Sequence, residues 1–321
     1  MAPTPNLGEL VEHLDPAAVR SGLPMRAAID ALEQAIHDHG FADTPQRLHL
    51  GDGHRDLLVM PALHQEWAGV KLVSLDRDNP DRGLPYVNGV YALLGPPGLV
   101  PRVTVDGPAL TELRTGAVSG LATRHLARPD ASRLVVFGTG VQARSHVHAM
   151  AAVRGLTDVA VVGRRPGSAA TFVTELRNLT GLPLREGSID DLRNADLVCV
   201  CTSSRTPVFD GGLLPPGVHV NAVGSFRPDV QELDPTAVTS SRVVVEVREA
   251  ALHEKGDLVR AREDAGWDPD AIAADLTEVV RDPARGRQHP EDRTLFASVG
   301  HAFEDLVVAR ALAEADENDR R

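Results

Sequence analysis

Two hydrophobic periods divide this chain. Residues 17–40 place Val19, Met25, Ala28, Ile29, Leu32 and Ile36 at helical spacing and stop at Gly40, which predicts one amphipathic helix. From Arg47 to about Asp106 the period shortens. The runs LHL, LLVMPAL, VKLVSL, LPYVNGVYALL and LVPRVTV are separated by Gly, Pro and Asp, as in a hairpin-rich sheet. Helical spacing returns at Leu110, where Gly116, Ala117, Ser119, Gly120 and Ala122 permit close backbone approach on one side.

Beyond this helix the pattern changes again. Strands are expected at 134–138, 158–162, 196–202, 218–223 and 242–247, alternating with helical or loop segments. The first of them, Leu134 to Phe137, has no polar face and reads as buried on both sides, and the alternation of strands with helices predicts a doubly wound parallel sheet. The stretch from Asp257 to Arg293 is rich in Pro, Asp and Arg, with a short helix expected near Ala271 to Asp275. A last helix is expected over Leu295 to Ala315, apolar along Phe296, Val299, Phe303, Leu306 and Val307, with a frayed acidic tail, EADENDRR.

Composition narrows the function classes. A chain of 321 residues that is 42% hydrophobic and 24% charged has soluble-globular composition and room for about two domains. Its formal net charge of -12 argues against nucleic acid or an anionic membrane as partner, since both demand a basic surface. The start, MAPTPNLGEL, lacks a basic segment followed by an apolar one, and no apolar run is long enough to span a bilayer; a cytoplasmic protein is expected. Cys199 and Cys201 alternate within DLVCVC and read as core thiols, while His146 and His148 read as helix surface. No metal site is expected.

The candidate chemistry begins at VVFGTGVQA, residues 135–143. A buried strand ends at Gly138-Thr139-Gly140 and helical spacing follows through Val141, Gln142 and Ala143, a G-x-G-x-x-A pattern. Gly138 suits the tight turn, Gly140 lets a phosphate approach the backbone, and Ala143 lets helix and strand pack closely. Amides of the new helix's first turn would face a dinucleotide's pyrophosphate. The next strand ends in Gly163-Arg164-Arg165, without the acid that binds the ribose hydroxyls of NAD. Two arginines there suit a 2′-phosphate, so NADP (as NADPH) is the expected cofactor; the alternative is a solvated pair on a loop. The fold class is thus α/β, a Rossmann-type doubly wound parallel sheet, preceded by an α+β domain.

Arg47, Lys71 and Arg114 stand out in the N-terminal part, Lys71 most of all because Val70 and Leu72 flank it. Taken with MPAL at 60–63, LRTGAVSGLAT at 113–123, FGTGVQAR at 137–144, VNAVGSFRPDVQELDP at 220–235 and TLFASVG at 294–300, the chain resembles the ornithine cyclodeaminase and mu-crystallin family over nearly its whole length. The resemblance implies a nicotinamide-dependent enzyme of small amino and imino acids and a homodimer. It also implies a substrate-binding and dimerisation domain over 1–115 and 294–321 and a dinucleotide-binding domain over 116–293. Arg47, Lys71 and Arg114 match the family's substrate-contacting cations and would hold a carboxylate, with Lys71 also serving the nitrogen or an ordered water. Thr202, Val223, Ser298, Val299 and Gly300 complete the cofactor-binding set, the last three letting the final helix approach the nicotinamide.

One departure from the family pattern is informative. Cyclodeaminases place a catalytic aspartate two residues after the VNAVG glycine, and this chain has Phe226 there. Phenylalanine can neither take up a proton nor pair with an ammonium, so the imine-reducing branch is the better match. Asp229 reads as a structural loop residue. The expected activity is NADPH-dependent reduction of a cyclic ketimine carboxylate, such as pyrroline-2-carboxylate or piperideine-2-carboxylate. The alternatives are an ornithine cyclodeaminase, an amino-acid dehydrogenase or condensing reductase, and a crystallin-like protein that binds NADPH and a ligand without turnover.

Overall fold

The computed structural model describes residues 11–42 and 44–319; the opening stretch MAPTPNLGEL lies outside them. The chain divides into two compact units. One is formed by residues up to Ala35, by His39–Arg114 and by the segment from His301 onward; the other by Ile36–Asp38 and Thr115–Gly300.

The first unit is built on a six-stranded sheet. β1 (Glu12–Leu14) is followed by helices α1 (Pro16–Gly22) and α2 (Met25–His39), then by strands β2 (Leu48–Gly51), β3 (Arg55–His64), β4 (Trp67–Asp76), β5 (Val87–Gly95) and β6 (Val100–Asp106). The sheet order is β1-β6-β5-β4-β3-β2, antiparallel except for β1 on β6. The single helix expected over 17–40 is two, because Pro24 bars Leu23 from helical geometry and Leu23 is extended. Asp15 caps the first helix by accepting from the amides of Ala17 and Ala18. α10 (Ala302–Asp319) packs on one sheet face, covering Met60, Ala62, Lys71, Tyr91 and Leu93. It continues as helix to Asp319, further than the frayed tail expected.

The second unit carries an eight-stranded, wholly parallel sheet. Its strands are β7 (Arg133–Phe137), β8 (Asp158–Val162), β9 (Leu184–Glu186), β10 (Leu197–Val200), β11 (His219–Ala222), β12 (Arg242–Val245), β13 (Ile272–Asp275) and β14 (Thr294–Ala297). Their order is β13-β12-β14-β11-β10-β7-β8-β9, with helices α4 (Val141–Val153), α5 (Ser168–Thr180), α6 (Pro235–Thr239), α7 (Arg248–Glu254), α8 (Gly256–Ala265) and α9 (Leu276–Arg281) among the connections. α3 (Gly107–Leu126) leads into it, and the division between the units falls inside that helix.

Three expectations need correction here. Residues 272–275 form strand β13, preceded by a single 3-10 turn that ends at Ala271, in place of the helix expected over 271–275. The last helix does not begin at Leu295: Leu295 and Phe296 lie in β14, between β11 and β12, so residues 294–300 belong with the parallel sheet of the second unit rather than with the first unit. His146 is fully buried, not on a helix surface; its Nδ1–H donates to the Gln142 carbonyl and its Nε2 accepts from the Ser119 hydroxyl. Burial pushes it down to about 4, so the ring is neutral. No helix among the described residues is long and apolar enough to cross a membrane.

Candidate active site

The glycine turn is geometrically demanding. Gly138 sits at φ 117°, and a Cβ on it would lie 2.4 Å from the carbonyl oxygen of Cys201, on the neighbouring strand's exit loop. No side chain caps α4, whose N-cap is Gly140, and a Cβ on Gly140 would meet nothing within 4 Å. Ala143 is buried where α4 packs on the sheet. A cleft of about 640 Å³ opens over this turn, lined by Gly138, Thr139, Gly140, Val141 and Gln142, by Gly163, Arg164 and Arg165, and by Cys201 and Thr202. Both arginines are exposed, and no carboxylate among the described residues lines the cleft. An open, uncapped helix start next to free arginine heads fits a dinucleotide phosphate chemically. Cys201, expected as a core thiol beside Cys199, lies beyond the end of β10 and lines this cleft.

Buried acids hold the loops at the ends of the neighbouring strands. Glu232 accepts from the Thr202 amide and hydroxyl at 2.6 and 2.7 Å and from the Gly224 amide at 2.6 Å. Burial pushes its carboxyl up to about 7 against the pull of Lys255. Asp257 accepts from the Ser225 hydroxyl and from the amides of Glu232 and Leu233, and pairs with Lys255 at 3.2 Å. Lys255 also donates to the Ala222 carbonyl, just before Val223. Glu246 accepts from the Ser298 hydroxyl and the amides of Val299 and Gly300, which form a loop after β14 and not a helix start. Phe226 is exposed, and Asp229 is gripped through both oxygens by the Arg227 guanidinium, which holds its carboxyl below the usual range.

In the other unit, two of the three predicted cations come together. Lys71 on β4 is 2% exposed, and its ammonium meets Asp305 at 2.8 and 3.0 Å and the Thr111 hydroxyl at 3.2 Å. Arg114 on α3 donates to Glu304 at 2.7 Å and lies 3.2 Å from Asp305. Both acids sit in the first turn of α10, where the helix dipole favours negative charge. Burial pushes Lys71 down to about 8; Asp305 opposes this, while the charges of Arg114 and half-buried Arg47 add to it. Sequence reasoning missed Glu304 and Asp305, although two adjacent acids inside the apolar run AFEDLVVA were a usable signal. It also missed Glu232, Glu246, Lys255 and Asp257.

The chain is 38% identical over 262 residues to a Delta(1)-pyrroline-2-carboxylate reductase of Bacillus cereus, covering 80% of each chain. The fold superposes on the Thermococcus litoralis Delta(1)-pyrroline-2-carboxylate reductase, solved with NADH and L-proline, with a TM-score of 0.90 at 32% identity, covering 97% of this chain and 98% of that one. An archaeal alanine dehydrogenase dimer with bound NAD gives a TM-score of 0.89 at 30% identity, with 97% of both chains covered. The sequence matches the family description "Ornithine cyclodeaminase/mu-crystallin family" over residues 14–319, and the chain belongs to that family.

Proposed function

We propose that this protein reduces the C=N bond of a cyclic imino acid bearing one carboxylate, Δ1-pyrroline-2-carboxylate foremost, using a nicotinamide dinucleotide. The observation that carries this reading is the buried Lys71–Arg114 cluster, which supplies fixed cations and a titratable ammonium in one place. Two of the relatives named above are Delta(1)-pyrroline-2-carboxylate reductases, one of them solved with NADH and L-proline, and Phe226 stands where the resemblance puts the cyclodeaminases' aspartate. Arg47 and Arg114 grip the carboxylate, and Lys71 delivers a proton to the nitrogen. Gly138, Thr139, Gly140, Val141, Gln142 and Ala143 seat the pyrophosphate, while Thr202, Val223, Ser298, Val299 and Gly300 border the nicotinamide. When bound, the nicotinamide supplies the hydride. Assays with Δ1-pyrroline-2-carboxylate and Δ1-piperideine-2-carboxylate test the reading. A folded sample that binds dinucleotide yet oxidises none with either imine would refute it.

The cofactor preference belongs to the same proposal. Two solved relatives hold NADH and NAD, so a preference for NADPH here rests on Arg164 and Arg165 alone. A charge-assisted bond to a phosphate is worth about 1.5–3 kcal/mol before solvent and salt reduce it. We therefore expect a preference of about tenfold to a hundredfold in kcat/KM. Replacing both arginines by alanine should abolish it and leave NADH kinetics nearly unchanged; equal use of both cofactors by the native protein would make the arginines structural.

The protein acts as a homodimer in this reading. The sheet face opposite α10 presents Leu48, Leu50, Leu57, Leu63 and Leu72, all exposed, and their pairing register puts them on one surface. An apolar patch of that extent on an antiparallel sheet calls for a partner of matching shape, and a second copy supplies one. The double variant Leu50→Glu, Leu63→Glu should elute as a monomer in size-exclusion chromatography with light scattering. An unchanged mass would move the interface elsewhere.

A further inference from the structure

We infer that Asp305, at the start of α10, is the positioning residue that holds Lys71 as the proton donor of the reduction. This rests on the proposed role of Lys71 and extends it to a residue that no relative's name assigns. Lysine occurs only twice among the 33 basic residues of the chain, at 71 and 255. Elsewhere the chain uses arginine, which does not release its proton at accessible pH. Lys71 is therefore the residue of the cation cluster that can act as an acid.

Its surroundings oppose that role unless an anion is fixed beside it. Lys71 is enclosed by the sheet and α10, with Arg114 and Thr111 on α3, Arg47 ahead of β2, and Tyr91 opposite it on β5. Burial and two neighbouring guanidinium charges favour the neutral amine. Asp305 reverses the balance: one of its oxygens lies 3.0 Å from Nζ and 3.2 Å from Arg114 Nε, the other 2.8 Å from Nζ. Glu304 takes up the rest of the Arg114 charge at 2.7 Å. Asp305 and Thr111 engage two of the three N–H donors of the ammonium, leaving one for a ligand nitrogen.

A dihydronicotinamide bound at the glycine-turn cleft would supply the hydride, and with it both electrons, for the new C–H bond. The C=N π pair moves onto nitrogen and takes a proton from Lys71 Nζ. Lys71 is left as a neutral amine and regains a proton from water once the product departs.

Two lysines make the test direct, since protein labelled with 13C at the lysine ε-carbon gives two signals, and Lys71→Met identifies that of residue 71. In cofactor-free native protein the Lys71 signal should titrate near pH 8. In Asp305→Asn the midpoint should fall by at least one unit, and Asp305→Glu should restore most of it. The alkaline limb of kcat for Δ1-pyrroline-2-carboxylate should move to lower pH in step, because the active form is the protonated one. An unmoved NMR midpoint in a folded Asp305→Asn protein overturns the role of Asp305. A midpoint that falls while the kcat limb stays put overturns Lys71 as proton donor, and the inference with it. If no imine is reduced while the midpoint falls, the proposed function fails and the catalytic role of Asp305 goes with it.

Discussion

Exchange of Lys71 for methionine should cut kcat/KM for an imino carboxylate about a thousandfold, mostly in kcat, which is the scale of losing a positioned general acid. Methionine keeps the length and apolar stem of lysine but supplies neither proton nor charge. Dinucleotide affinity should be unchanged, because the residues of the glycine-turn cleft all belong to the other unit. Stability will respond as well. Removing one partner of a buried ion pair strands the other, here Asp305, at a cost of about 3–5 kcal/mol, tempered by the Arg114 guanidinium 3.2 Å away. The double variant Lys71→Met, Asp305→Asn should regain much of that stability without regaining activity. Thermal melts and steady-state kinetics on the same preparations separate the two effects. A single variant with native kcat and a raised KM alone would make Lys71 a carboxylate anchor and nothing more.

The glycine turn was legible because it is local. A buried strand, two glycines and the start of a helix are contiguous in sequence, and each has one physical reason to be there. The alternating strands of the first sheet were legible for the same reason, since one face is covered by α10 and the period of two survives. Where the reading failed, local pattern pointed the wrong way. The strand IAAD is short and alanine-rich, which reads as helix until the edge of a parallel sheet pairs with it. Phe296, Val299 and Phe303 fall at near-helical spacing although the chain leaves a strand, turns at Gly300 and only then enters α10. The partners of the buried acids were hidden for a different reason. Glu304 and Asp305 meet partners 190 and 234 residues away, and no window of sequence brings them together. Glu246 and Glu232 serve loop amides, a role set by tertiary position alone.

The two glycines of the turn should respond to substitution in different ways. Gly138 has a backbone that β-branched residues avoid, and its missing Cβ faces a main-chain carbonyl at 2.4 Å, which cannot swing aside as a side chain would. Gly138→Val must therefore displace either the turn or the Cys201 loop, both of which line the cleft. Dinucleotide affinity should fall at least about a hundredfold, or about 2.7 kcal/mol, with a clear drop in Tm. Gly140 differs in both respects. Its φ of -94° is open to any residue, and a Cβ there touches nothing in the protein. Gly140→Ala should leave Tm within a degree or two, yet its methyl group occupies the space where a phosphate would approach the first amides of α4. Affinity should fall about tenfold, close to 1.4 kcal/mol, with no loss of stability. Calorimetric titration with dinucleotide beside thermal melts of both variants distinguishes these effects. Native affinity in Gly140→Ala would mean that the pyrophosphate lies away from this helix start.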